Sequence, residues 1–204
     1  MQNRVVTMAE RVFACGALAK GMVHFRRVGD YVKNIQPATV LGQMYKLEVG
    51  YPVFYHIGND LIHGEILDIE ASDLFFRVLD EFYGFSARTP EKSLFLKVPV
   101  EANMGGETVT VTTYSINPAK LPKTATIIDG GDWRSVLSAQ PPMVEGLSDR
   151  QKTYVRRLGS SSGRDIVPIN LELYRELMNL GLIVDKGRRL ALTRLGQEVY
   201  RFLD

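Results

Sequence analysis

LIHGEILDIEASDLFFRVLDEFYGF, residues Leu61–Phe85, changes its hydrophobic period midway. Up to Glu70 the residues alternate: Leu61, His63, Glu65 and Leu67 share one face, while Ile62, Gly64 and Ile66 share the other. That is a strand signature. From Ser72 the apolar residues Leu74, Phe75, Val78, Leu79 and Phe82 fall three and four apart, which is a helix signature. Ser72 is read as the N-cap, Asp73 as first-turn acid and Gly84 as the stop. Asp80 and Glu81 then sit in the last turn, where negative charge opposes the helix dipole. Arg77, three and four residues earlier, is expected to pair with them.

The flanking segments extend this reading. SLFLKVPVEA and ETVTVTTYSI are two strands joined by Asn103-Met104-Gly105-Gly106, a hairpin with a glycine-bearing loop. With no helix and no Lys-Ser/Thr after it, that loop is not a phosphate cradle. On the other side, RVFAC (11–15) reads as a buried strand and GALAKG as a turn. ATVLGQMYKLEV (38–49) reads as a strand ended by Gly50-Tyr51-Pro52. At least five strands and one helix, without strict strand–helix alternation, fit a compact mixed barrel or α+β core. SAQPPMVEG (138–146) reads as a linker. Beyond it, Ser148, Asn170 and Thr193 are read as caps of three helices, with a hairpin turning at Asp185-Lys186-Gly187 between the last two.

A chain of 204 residues fits one full domain, 1–137, and a small one, 147–204. Net charge is +2, so bulk charge names no partner. Residues 147–204 hold 11 Lys/Arg against 7 Asp/Glu, too mild an excess to imply nucleic acid by itself. A lone cysteine, Cys15, excludes an intrachain disulfide and a cysteine-based zinc site. His24, His56 and His63 are too scattered for a metal cluster, so no metal or cofactor is expected. No stretch approaches the ~20 apolar residues of a membrane helix. No signal-like segment opens the chain, and the cytoplasm is the expected compartment.

Five short pieces, in order, resemble the gamma-glutamylcyclotransferase-like family. VFACGAL stands where that family has a strand followed by Tyr-Gly-Ser/Thr-Leu. Gly50-Tyr51-Pro52 matches its Gly-Tyr-Pro turn, and Gly64-Glu65-Ile66 its Gly-Glu-aliphatic strand. LDEFYG stands against Leu-Asp-x-x-Glu-Gly, and Gly131-Asp132-Trp133 against the closing Gly-Asp-Trp. The resemblance covers the first ~137 residues and implies an α+β fold, a small β-barrel with a cavity at one end. It also implies that the amides at Cys15, Gly16, Ala17 and Leu18, with Gly50 and Tyr51 nearby, hold a small carboxylate or γ-glutamyl ligand. A turn of consecutive amides is a carboxylate nest, and glycine lets a ligand approach closely. In the family a glutamate moves a proton from the substrate α-amine to the leaving amine, releasing 5-oxoproline.

At that glutamate's position this chain has Tyr83. A phenol with a reference pKa near ~10 does not serve as the base at neutral pH. Glu81, two residues earlier, points roughly 200° away on a helix. Cys15 and Ala17 replace the loop's tyrosine and serine or threonine. The expectation is a ligand-binding protein that is weakly active or inactive as a cyclotransferase, with Tyr83 lining the pocket. Two alternatives stand beside it. One is an active enzyme using Glu65, which shares a strand face with His63. The other is an adaptor or DNA-binding protein working through residues 147–204, whose helix–helix–hairpin–helix order resembles part of a winged helix. There Lys186, Arg188 and Arg189 sit in the wing, with Arg156, Arg157 and Arg164 upstream. Against DNA, Arg175 is flanked by Glu172 and Glu176. Cys15 as a nucleophile is weighed against Cys15 as a buried small hydrophobe.

Overall fold

The computed structural model describes residues 10–162 and 165–203. Residues 1–9, assigned above to the barrel, and Arg164, assigned to the basic surface, lie outside the described residues. Two compact units emerge: the chain up to Leu47 with Tyr51–Ser138, and Glu48–Gly50 with the chain from Ala139 onward.

The first unit is an α+β barrel. Strands β1 (Glu10–Ala14), β2 (Val32–Lys46), β3 (Pro52–Ile69), β4 (Phe95–Met104), β5 (Glu107–Ile116) and β6 (Thr126–Ile128) form one sheet in the order β3-β1-β5-β4-β2-β6. A further β2–β3 pairing closes five strands into a ring. β4 holds the free edge of β2 at Thr39 and Val40, and β6 takes over at Met44–Lys46. The sheet is mixed because β1 runs parallel to β5 and antiparallel to β3. Closure leaves no long open edge, which removes the usual template for mispairing.

β3 begins at Pro52 rather than Leu61, and β2 at Val32 rather than Ala38. A register shift between Gly42 and Gln43 moves the β2 partner from Asp60 to Tyr55. The residues between Tyr55 and Asp60 bulge, so the alternation breaks in sequence while the pairing continues. Inside the ring, Phe13, Val40, Ile66, Ala102 and Val111 pack as one cluster. Met44, Phe54, Ile62, Ile128 and Trp133 pack as another. Gly64 is required where β1 crosses β3: a Cβ there would lie 2.5 Å from the Ala14 carbonyl oxygen and the Phe13 ring.

Helix α1 (Ser72–Tyr83) buries Phe75 and Leu79. Its N-cap is Ala71 in the left-handed region (φ 52°), not Ser72, which is already helical. The amide of Glu70 bonds the Tyr31 carbonyl, so the strand end is pinned and the chain turns one residue sooner. Gly84 ends the helix at φ 59°, as expected for a C-terminal stop. Helix α2 (Trp133–Ala139) follows β6.

In the second unit, the stretch read as a linker contains a short helix, α3 (Met143–Gly146). Helices α4 (Asp149–Ser160) and α5 (Leu171–Asn179), the β7–β8 hairpin (Ile183–Asp185, Leu190–Leu192) and α6 (Arg194–Phe202) complete it. Ser148 and Gln151 form a reciprocal capping box on α4; Asn170 caps α5 and Thr193 caps α6. Val155, Leu158, Leu177, Leu182 and Val199 are its buried core. Arg150 of α4 bridges Glu172 and Glu176 of α5 at 3.1 and 2.9 Å. Lys186, Arg188 and Arg189 are exposed on the hairpin.

Candidate functional site

β1 delivers the chain into a tight turn. Cys15 is extended, Gly16 takes φ 63°, and Gly16–Leu18 form one 3-10 turn. The left-handed backbone at Gly16 disfavours any other residue, and a Cβ there would lie 3.2 Å from the Pro52 carbonyl oxygen. Three bonds fix the turn. The Ala19 amide donates to the Gly16 carbonyl, and the His24 amide to the Ala17 carbonyl. The Lys20 amide donates to Glu65 Oε2 at 2.6 Å. Among the described residues, no bond from the amides of Gly16, Ala17 or Leu18 to a group outside the turn is seen.

α1 brings Tyr83 to this turn. Its ring stacks on Tyr114 of β5 (4.5 Å between centroids, 14° between planes) and packs on Phe95 and Phe82. The hydroxyl is crowded by protein although the residue keeps some open surface. Burial, then the neighbouring Cys15, pushes the phenol well above its ordinary range. Burial also pushes the Cys15 thiol up to about 12, against a smaller lowering by Arg134. Both groups therefore stay protonated at neutral pH, which disfavours Cys15 as a nucleophile.

The opening acids have structural partners. Asp80 does not pair with Arg77. It accepts a short hydrogen bond from the Tyr114 hydroxyl, and Lys97 Nζ lies 3.5 Å away. Lys97 also sits 3.6 Å over the Phe76 ring. These partners come from β4 and β5, so no local spacing announces them. Asp80→Ala strands the Tyr114 hydroxyl and the Lys97 ammonium. It is expected to lower stability by about 1–3 kcal/mol in urea unfolding.

Glu65 lies beside the turn, but both its oxygens are engaged: Oε2 by Lys20, and Oε1 by Arg134 Nη2 at 3.3 Å. His63 is exposed and acts electrostatically on Asp132. Tyr51 is buried with its ring 5.7 Å from that of His24. Gly50, at φ 97°, borders Pro142. The structure thus brings the Cys15–Leu18 turn beside Tyr83 and Glu65.

His24 was not anticipated beyond its exclusion as a metal ligand. It is fully buried, and its ring lies 4.8 Å from that of Phe82. Burial first, then Arg27 and Arg26, lowers its pKa to about 4. A base depressed in the folded state stabilises fully above its unfolded pKa, near 6.5. Its contribution fades as pH falls from about 6.5 to about 4, and is flat below. Thermal melts across that window are expected to lose roughly 3 kcal/mol from this group. A folded His24→Gln variant should lack that portion of the slope.

Among the described residues no group of three or more His, Cys, Asp or Glu is placed to hold a metal ion. None of their helices is long and apolar enough to cross a membrane.

The first unit is thus a closed mixed barrel with a glycine turn beside the end of a helix. This chain belongs to the gamma-glutamyl cyclotransferase, AIG2-like family, whose model matches residues 12–135. Among solved structures it resembles YkqA from Bacillus subtilis, at 19% identity and a TM-score of 0.48 over 65% of this chain and 42% of that one. It also resembles an AIG2-like protein from Mus musculus, at 16% identity and a TM-score of 0.44 over 56% of this chain and 80% of that one. A third is the uncharacterized protein PH0828 from Pyrococcus horikoshii, at 14% identity and 0.47 over 64% and 95%. The chain thus spans less than half of YkqA. No curated protein matches it.

Proposed function

We propose that the barrel binds a small carboxylate or γ-glutamyl-type ligand on the Gly16–Leu18 amides and does not cyclise it. One observation carries this reading. The side chain at the acid position is Tyr83, held in an aromatic stack with its phenol pushed further from ionisation. Such a group donates a hydrogen bond to a ligand but does not take a proton from an ammonium at neutral pH. The amide nest asks nothing of the side chains at Cys15 and Ala17, so both substitutions leave it intact. Titration of ¹⁵N-labelled protein with 5-oxoproline or glutamate tests binding. The amides of Gly16, Ala17 and Leu18 should shift in a saturable way; unmoved amides at millimolar ligand overturn the reading.

Glu65 supports a second reading, because its carboxylate lies beside the same turn. Under our reading it is a brace, tying the Lys20 amide to Arg134. Glu65→Gln should then lower the melting temperature without changing any turnover. If Glu65 is instead the acid–base group, turnover disappears at an unchanged melting temperature. For the second unit, the exposed Lys186, Arg188 and Arg189 favour contacts with an acidic partner. The cross-braced α4–α5 pair presents Glu172 and Glu176 beside Arg175, which disfavours DNA on that helix. A salt-dependent gel shift lost on Arg188/Arg189→Ala would argue for nucleic acid.

A further inference from the structure

Arg134 is positioned by its neighbours. Trp133 is buried, and its Nε1–H donates to the His63 carbonyl at 2.9 Å. The Arg134 guanidinium lies 4.4 Å over the Trp133 ring. It makes one ion pair, a single 3.3 Å contact from Nη2 to Glu65, and its side chain is 44% exposed. A guanidinium has five N–H donors in a planar fork. Among the described residues, no other protein acceptor engages this one. Its charge reaches Cys15, the first residue of the amide turn.

We propose that Arg134 is the charge-selecting residue of the Gly16–Leu18 site, and that the preferred ligand carries two carboxylates. One sits on the loop amides and the other on the open edge of this guanidinium. The inference rests on the reading of the loop as the ligand site. Glu65 supplies the scale: its single carboxylate spans from the Lys20 amide, 2.6 Å away, to Arg134, 3.3 Å away. The side-chain carboxylate already fills that gap, so one small anion does not serve both the loop and Arg134. A ligand reaching from the amides past Glu65 to the free donors needs a second anionic end. Glu65 also offsets the Arg134 charge, so a neutral tail gains nothing there. A second carboxylate gains charge-assisted hydrogen bonds. The ligand class is a short dicarboxylate.

The test compares glutarate with pentanoate, which has the same five carbons and one carboxylate, by calorimetry on the full chain. Wild-type protein is expected to prefer glutarate by at least about tenfold. Arg134→Gln should bring the two affinities together, and Arg134→Lys should retain part of the preference. The wild-type ratio needs no variant, so a folding defect does not obscure it. Equal binding of both acids by wild type, or a preference that survives in Arg134→Gln, overturns the role of Arg134 and leaves the loop site standing. No binding of either acid overturns the loop site, and this inference with it.

Discussion

Tyr83→Glu is expected to release 5-oxoproline from γ-glutamyl amino acids about 10²–10⁴ times faster than the wild type, the range a positioned acid–base group provides. The backbone at that point is ready for it. Tyr83 is the last residue of α1, and Gly84 fixes the helix end in the left-handed region. Among the described residues, the turn amides of Gly16–Leu18 make no bond to a group outside the turn. A carboxyl placed where the Tyr83 hydroxyl is crowded experiences the same desolvation. That raises a carboxylic acid toward neutrality, where proton shuttling is most effective. Losing the stack on Tyr114 should lower the melting temperature, since such pairs contribute ~0.5–1.5 kcal/mol beyond their buried area. Tyr83→Gln, of similar shape to glutamate but unable to shuttle a proton, should stay silent. A folded Tyr83→Glu protein with no gain would mean that the loop does not orient a γ-glutamyl group.

Trp133→Ala is expected to lower unfolding free energy by about 3–5 kcal/mol in denaturant titrations, the largest stability loss foreseen here. Trp133 is 1% exposed and packs with Met44, Phe54, Ile62 and Ile128, from β2, β3 and β6. Its indole also caps the His63 carbonyl. Truncation leaves a cavity and an unpaired carbonyl, and it removes the ring beneath Arg134. A loss under about 1 kcal/mol would mean that the barrel end relaxes around the gap, contrary to the packing described. Trp133→Phe separates the two effects, keeping most of the volume and losing only the hydrogen bond.

Local signals made much of this legible in the sequence. The change of period between Leu61 and Phe82 gave the β3–α1 junction, and Asn103–Gly106 gave the β4–β5 turn. Ser148, Asn170 and Thr193 gave their helix starts, because a capping residue bonds an amide only two or three positions away. The glycines of GALAKG marked a turn, and the resemblance to a family, not periodicity, singled out its Cys15–Leu18 amides and the substitution at Tyr83. Missed features depend on distant partners. Asp80 was assigned to Arg77 on its own helix, but Tyr114 and Lys97 reach it from β5 and β4. Glu65 meets Arg134 across 69 residues of chain. The strand before Leu61 was hidden by the bulge, which spoils alternation without breaking the ladder. Ser72 was misplaced by one residue because the Glu70–Tyr31 bond, not helix propensity, sets where the turn begins.

The central claim is that the pocket keeps its carboxylate-holding amides and lacks a proton-transferring acid. The most direct measurement is the appearance of 5-oxoproline when purified wild-type protein is incubated with γ-glutamyl amino acids and with γ-glutamyl-lysine. The account predicts no release above that of a Tyr83→Phe control, under conditions in which the Gly16–Leu18 amides report ligand binding. Sustained, enzyme-proportional release by the wild type would contradict it.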